Sequence, residues 1–126
     1  MSLADARLQT LVWSSNIPRS EQFYSDVLGL PLTGSSHGAL VYRVGQGSLR
    51  VSPVQSTTSS EHTVVGFEVA DFGRAVAELA SRGVHFERFP GFAHDEAGAW
   101  EAPDGTKVAW FRDPDGNLIS LVRYAA

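Results

Sequence analysis

The chain contains no cysteine. Disulfide frameworks, thiolate metal sites and cysteine nucleophiles are therefore excluded. No apolar run approaches the roughly 20 residues that a membrane-spanning helix needs. The N-terminus lacks the basic stretch and apolar core of a secretory leader, so the cytoplasm is the expected location. Ten Lys and Arg against fourteen Asp and Glu leave a net charge of −4. With no basic block, nucleic acid is not an expected partner; nor is a membrane. Neither a Gly-x-Ser-x-Gly elbow nor a phosphate-binding loop is present. The 126 residues suffice for one domain with its own core and are too few for two.

What is present is a pattern that runs once and then restarts. Leu8–Ser14 alternates as a strand does. Asn16-Ile17-Pro18 reads as a helix start, with Asn16 as N-cap. Phe23, Tyr24, Val27 and Leu28 mark one face of a helix over 19–28, which Gly29 ends. Strands are expected around 30–33, 39–44 and 48–54. The polar, Ser/Thr-rich stretch 55–61 suits a linker. A strand over 62–69 follows, then a helix capped by Asp71 with Phe72, Val76, Leu79 and Ala80 inward, ending at Gly83. Strands are expected over 84–88, 106–111 and 117–124, with a long loop over 89–104. Asn16 and Asp71 stand 55 residues apart, as do Arg19 and Arg74. Such an internal repeat means that each half buries one face and the two share a fold. The expected architecture is α+β: two tandem βαβββ modules, about 7–54 and 62–124, in a single domain over 1–126. They would form a curved mixed sheet around a cup, with helices on the outer face.

Phe111-Arg112-Asp113-Pro114-Asp115-Gly116-Asn117-Leu118-Ile119 resembles the closing hairpin of the vicinal oxygen chelate superfamily, which includes glyoxalase I, extradiol dioxygenases and bleomycin-resistance proteins. Arg19-Ser20-Glu21-Gln22-Phe23-Tyr24 and Val27-Leu28-Gly29-Leu30 resemble that family's first helix and its end. The resemblance runs from about Leu8 to Tyr124 and implies paired modules, a cup-shaped site and a homodimer. The hairpin residues also have a purely structural reading: Asp115-Gly116 permits positive φ in a tight connection, and Pro114 fixes φ for the turn.

In metal-using members of that superfamily, the first and last strands of each module carry a His or Gln, a Glu, a His and a Glu. Carried over by position, these fall on Gln9, on a residue of strand 48–54, on Val64 and on Ser120. Only Gln9 can ligate, and strand 48–54 contains no Asp, Glu or His. Divalent metals in such sites need three or more protein N or O ligands, so no metal or other cofactor is expected. His62 and Glu68 share a strand face but stand about 20 Å apart along it. His94-Asp95-Glu96, near Glu101, reads as a solvated loop.

Strand alternation puts Gln9, Leu11 and Trp13, then Val64, Gly66 and Glu68, then Leu118, Ser120 and Val122 on the cavity face. Trp13, Trp100, Phe89, Phe92 and Tyr42 offer flat surfaces to an aromatic ligand, and Arg50 a partner for an anionic group. Trp110, between Ala109 and Phe111, is expected to fill the core or a dimer interface. The candidate ligand-binding set is Gln9, Trp13, Tyr42, Arg50, Glu68, Trp100 and Ser120. The leading expectation is a metal-independent binder of small, flat, amphipathic molecules, similar to the antibiotic-sequestering branch. Three alternatives stand beside it. One is a glyoxalase- or dioxygenase-like metalloenzyme with atypical ligands, Gln9 with His94 or Glu96. Another is a metal-free enzyme using Glu68 as general acid or base, on the ground that a carboxyl in an apolar cup exchanges protons readily. The last is a module that serves only as an interaction partner.

Overall fold

The computed structural model describes residues 2–126. The chain divides into two compact units, Met1–Thr58 and Ser59–Ala126. Their element orders show the repeat. In the first unit these are β1 (Gln9–Ser14), α1 (Ile17–Glu21), β2 (Leu32–Ser36), β3 (Ala39–Val44) and β4 (Gly47–Pro53). In the second they are β5 (Thr63–Glu68), α2 (Phe72–Ser81), β6 (Trp100–Glu101), β7 (Lys107–Arg112) and β8 (Leu118–Arg123). The strand orders are β1-β4-β3-β2 and β5-β8-β7-β6, the same path twice. In each, the first strand runs parallel to the last and the other pairs are antiparallel. The two helix caps match as well. The Asn16 carboxamide oxygen accepts from the Arg19 N–H at 3.1 Å, and the Asp71 carboxylate from the Arg74 N–H at 3.2 Å. Each satisfies one of the N–H groups that a helix start leaves unpaired.

In the first unit, Val12, Leu40, Tyr42, Leu49 and Val51 are buried on one face of the sheet. The cross-strand register sets Tyr42 opposite Leu49 and Leu40 opposite Val51. Tyr24 meets Tyr42 on this side, ring centroids 5.9 Å apart, and the buried hydroxyls of Ser14 and Ser20 bond at 2.6 Å, tying β1 to α1. In the second unit, Val65, Ala109, Phe111, Ile119 and Leu121 form the buried face together with Phe72, Val76 and Leu79 of α2.

Several elements differ from the sequence reading. The first helix starts at Ile17, behind its Asn16 cap as expected, but from Gln22 to Val27 it widens into a π-helix that carries Phe23 and Tyr24. The first strand after it is displaced, to Leu32–Ser36. Residues 84–88 form no strand. They run beside β7 with a backbone bond from the Glu87 N–H to the Trp110 carbonyl at 2.7 Å. The strand that pairs with that edge of β7 is β6, inside the stretch read as loop.

The turn between β7 and β8 organises the second unit. Asp113 Oδ1 accepts from the N–H groups of Asp115 and Asn117, each at 2.9 Å, and Oδ2 accepts from Asn117 Nδ2 at 2.8 Å. Gly116 has φ +82°, and a Cβ there would stand 3.0 Å from Ser59 Cα, so the position requires glycine. Arg112 donates from Nη1 to the carbonyls of Ser60 and Gly116, both at 2.8 Å, and from Nε to Glu87 at 2.6 Å. One arginine thus holds the turn, the entry to β5 and the 84–88 segment. Because Asp113 is buried and its bonds go mostly to backbone N–H groups, Asp113→Ala is expected to cost about 3 kcal/mol, read as a shift of the urea midpoint.

Burial pushes the Tyr42 phenol up from its ordinary value of 10.0, and the Glu21 and Asp26 carboxylates push the same way against the Ser25 hydrogen bond. A raised value in the folded state means that folding is favoured below pH 10 and disfavoured as the phenol must ionise above it. Alkaline titration above pH 10 is therefore expected to lower the stability of the native chain progressively. Tyr42→Phe should lower stability by about 1 kcal/mol at pH 7 and flatten that alkaline loss.

Candidate ligand-binding face

Each sheet has one face under its helix; the opposite face is where the sequence placed a ligand. On the first sheet this face carries Gln9, Leu11 and Trp13 of β1, with Leu11 50% and Trp13 54% exposed. The register sets Gln9 beside Ser48, Leu11 beside Arg50 and Trp13 beside Ser52. Gln9, Trp13 and Arg50 are thus brought to one surface, where Arg50 Nη2 donates to the carbonyl and the hydroxyl of Ser36, each at 3.0 Å. Tyr42 is not on it. Paired with Leu49 on the helix-covered side, it has no exposed surface, and its hydroxyl bonds to Ser25 at 2.9 Å. It drops out of the candidate set.

On the second sheet the same reasoning joins Glu68, Trp100 and Ser120. Trp100 lies opposite Val108, Trp110 opposite Ser120, and Ser120 opposite Gly66. A Cβ at position 66 would meet Ser120 Oγ at 3.2 Å, so the glycine makes room for that hydroxyl, although Ser120 itself is buried. Trp110 does not fill the core. It alternates with Ala109 and Phe111 and so points away from them, into a cluster of rings. Trp100 stacks on it with centroids 6.2 Å apart and planes 29° from parallel. Phe92 packs edge-on against Trp100 at 4.8 Å, and Phe89 edge-on against Trp110 at 5.3 Å. His94 lies 6.1 Å from Trp110. Such ring pairs contribute about 0.5–1.5 kcal/mol each beyond their buried area.

The loop that brings Phe89, Phe92 and His94, read from sequence as solvated, keeps Asp95 and Glu96 exposed but is fixed by internal hydrogen bonds. His94 Nδ1 bonds to the Gly98 carbonyl at 2.7 Å, and Nε2 accepts from the Phe89 N–H at 2.9 Å. The carbonyl can only accept and the amide can only donate, so the ring is neutral with its proton on Nδ1. Asp95 closes the loop: its Oδ1 accepts from the Ala99 N–H at 2.8 Å, and its own N–H donates to the Ala99 carbonyl at 2.7 Å. Gly98, at φ +102°, lies against Phe86, where a Cβ would stand 2.8 Å from the Phe86 Cβ. With both ring nitrogens bonded, His94 has no lone pair free for a metal.

The donor set does not fit a divalent metal. The residues on the open faces at the family's ligand positions are Gln9, the β4 residues Ser48, Arg50 and Ser52, then Val64 and Ser120. They offer one carboxamide, three hydroxyls, an aliphatic side chain and a cation. Among the described residues no group of three His, Cys, Asp or Glu is placed to hold an ion. Glu68 is exposed, without the burial that an acid–base role in an apolar cup presupposes. His62 and His85 are exposed, and His37 occupies a turn at φ +53°.

Residues 7–121 match the family described as the glyoxalase/bleomycin resistance protein/dioxygenase superfamily. The chain belongs to that superfamily. It is 28% identical over 133 aligned positions to the protein YraH of Bacillus subtilis, covering 92% of this chain and 96% of that one. Among solved structures it resembles lactoylglutathione lyase from Agrobacterium tumefaciens, with a TM-score of 0.71, 19% identity and coverage of 94% and 93% of the two chains. A superfamily member from Sphaerobacter thermophilus gives a TM-score of 0.71 at 19% identity, covering 94% and 97%. At these identities the structural likeness establishes the fold, and a superfamily fold hosts many activities. No helix among the described residues is long and apolar enough to cross a membrane.

His94→Ala is expected to strip partners from the Gly98 carbonyl and the Phe89 N–H and to loosen the ring cluster. Stability should fall by about 2 kcal/mol, with a red shift of tryptophan emission in the folded state. An unshifted emission maximum with unchanged stability would show that the histidine does not hold the loop.

Proposed function

We propose that this superfamily member is a metal-independent binder of small, flat, largely apolar aromatic molecules. It takes them against the open face of the second sheet. The observation that carries this reading is the ring cluster of Trp100, Trp110, Phe89 and Phe92 on the face opposite α2. Two stacked indoles with edge-on phenyls offer a flat aromatic ligand both of its preferred packing geometries. Exposed Glu68 and, beside Gly66, the largely buried hydroxyl of Ser120 are the few polar groups near an otherwise apolar site. The chemistry available here is binding and exclusion of water. The donor set at the family's ligand positions supports no metal-assisted step, and exposed Glu68 lacks a partner group that would tune it as a base.

The test is titration of chelator-treated protein with acridine- and naphthalene-type compounds, followed by the ligand's own emission anisotropy. Saturable binding is expected, weakened about tenfold in Trp110→Leu, in line with the loss of one or two ring contacts. Binding that appears only after a divalent metal is added would favour the glyoxalase-like metalloenzyme reading instead. Binding indifferent to Trp110→Leu would remove the cluster from the site.

A further inference from the structure

The second unit has a cavity of about 420 Å³ on the other side of its sheet, between the flank of α2 and the 93–101 segment. It shares Trp100 with the ring cluster, and its other lining residues belong to α2, to the 93–101 segment and to Lys107 of β7. Its size falls within the range of small-molecule sites. On α2 its wall is Gly73, Ala77 and Ala80, beside the inward Val76; across from them stand Ala97 and Ala99. Small residues on both walls keep the space open. The far wall is held firm by the Asp95–Ala99 bonds and the His94–Gly98 bond.

The charged residues at this cavity are Asp95, Glu101 and Lys107. Glu101 and Lys107 are direct cross-strand partners on β6 and β7, so both project to the cavity side. Side chains so paired stand about 5 Å apart at Cβ. Neither belongs to an ion pair within 4.0 Å among the described residues. An exposed ammonium and an exposed carboxylate on neighbouring strands, without an ion pair between them and next to a small apolar space, match a ligand whose two charged groups are attached to one carbon. We infer that this cavity is a site for a zwitterionic α-amino acid with an apolar side chain. Its carboxylate meets the Lys107 ammonium, and its ammonium meets the carboxylate of Glu101, with Asp95 adding a second negative charge. The side chain lies among the alanines of the two walls. Charge-assisted bonds of this kind set orientation, while the apolar space sets the size that fits.

The experiment is an NMR titration of the ¹⁵N-labelled native chain with L-leucine. Saturable shifts are expected at Ala77, Ala80, Ala97 and Glu101, with a dissociation constant of about 1 mM or below. Ala80→Leu fills the cavity from an exposed helical position at little cost in helix propensity and should abolish the shifts in a chain that still folds. Isoamylamine lacks the carboxylate and 4-methylpentanoate lacks the ammonium. Each should bind about tenfold more weakly, as expected for the loss of one charged hydrogen bond. Lys107→Met should weaken L-leucine about tenfold while leaving isoamylamine unchanged. Absence of saturable shifts, shifts that survive Ala80→Leu, or isoamylamine binding as tightly as L-leucine would overturn the proposal.

Discussion

A single helix covers only one face of a four-stranded sheet. Everything else in this chain follows from that limit. The period-two alternation of each strand sorts the side chains onto the helix-covered face and the opposite one, and on β8 residues of both faces are buried. Val12, Leu49 and Val51 go under the first helix, as Val65, Phe111 and Ile119 go under the second. The complementary positions, Leu11 and Trp13 on one sheet and Trp110, Ser120 and Gly66 on the other, are then left to meet something other than the helix. On the second sheet a loop meets part of them and contributes rings. The chemistry of the candidate site is therefore set by which residues the alternation leaves over, and those residues are mostly aromatic and hydroxylic, with Glu68 as a carboxylate among them.

The parts of the fold legible from sequence were those written in local chemistry. Asn16 and Asp71 announced two helices because a capping side chain acts within three residues. Asp113-Pro114-Asp115-Gly116-Asn117 announced a turn because its bonds close within five. The doubled order of elements was visible from the recurrence of these signals. The open face followed from counting in twos, and Gln9, Trp13, Glu68 and Ser120 were found that way. Trp110 was within reach of the same count, since it must point opposite to Ala109 and Phe111, but its apolar neighbours suggested the core instead.

What sequence did not carry was long-range pairing. The strand Trp100–Glu101 is two residues long and exists because β7 offers it an edge. Residues 84–88 have a strand's composition yet hold β7 by one backbone bond and by Glu87 on Arg112. The fixing of His94 between Phe89 and Gly98 obeys no period, so the same residue read as a loop histidine available to a metal. Tyr42 failed for a related reason. Alternation says that Tyr42 and Val41 face opposite ways, but only the packing of Tyr24 says which of the two is covered.

The family relation and the residues pull in different directions. The superfamily includes enzymes that use a metal, whereas this chain's ligand positions hold a carboxamide, hydroxyls, a valine and, on β4, an arginine that bonds to Ser36. One fold hosts many activities, and the proposed binding function rests on these residues rather than on the family relation. The most direct test is elemental analysis of the purified chain, before and after incubation with nickel, zinc, manganese or ferrous iron under reducing conditions. The expected result is no stoichiometric metal after desalting under any condition. Retention of one metal ion per chain would contradict metal-independent binding and return the enzymatic reading to first place.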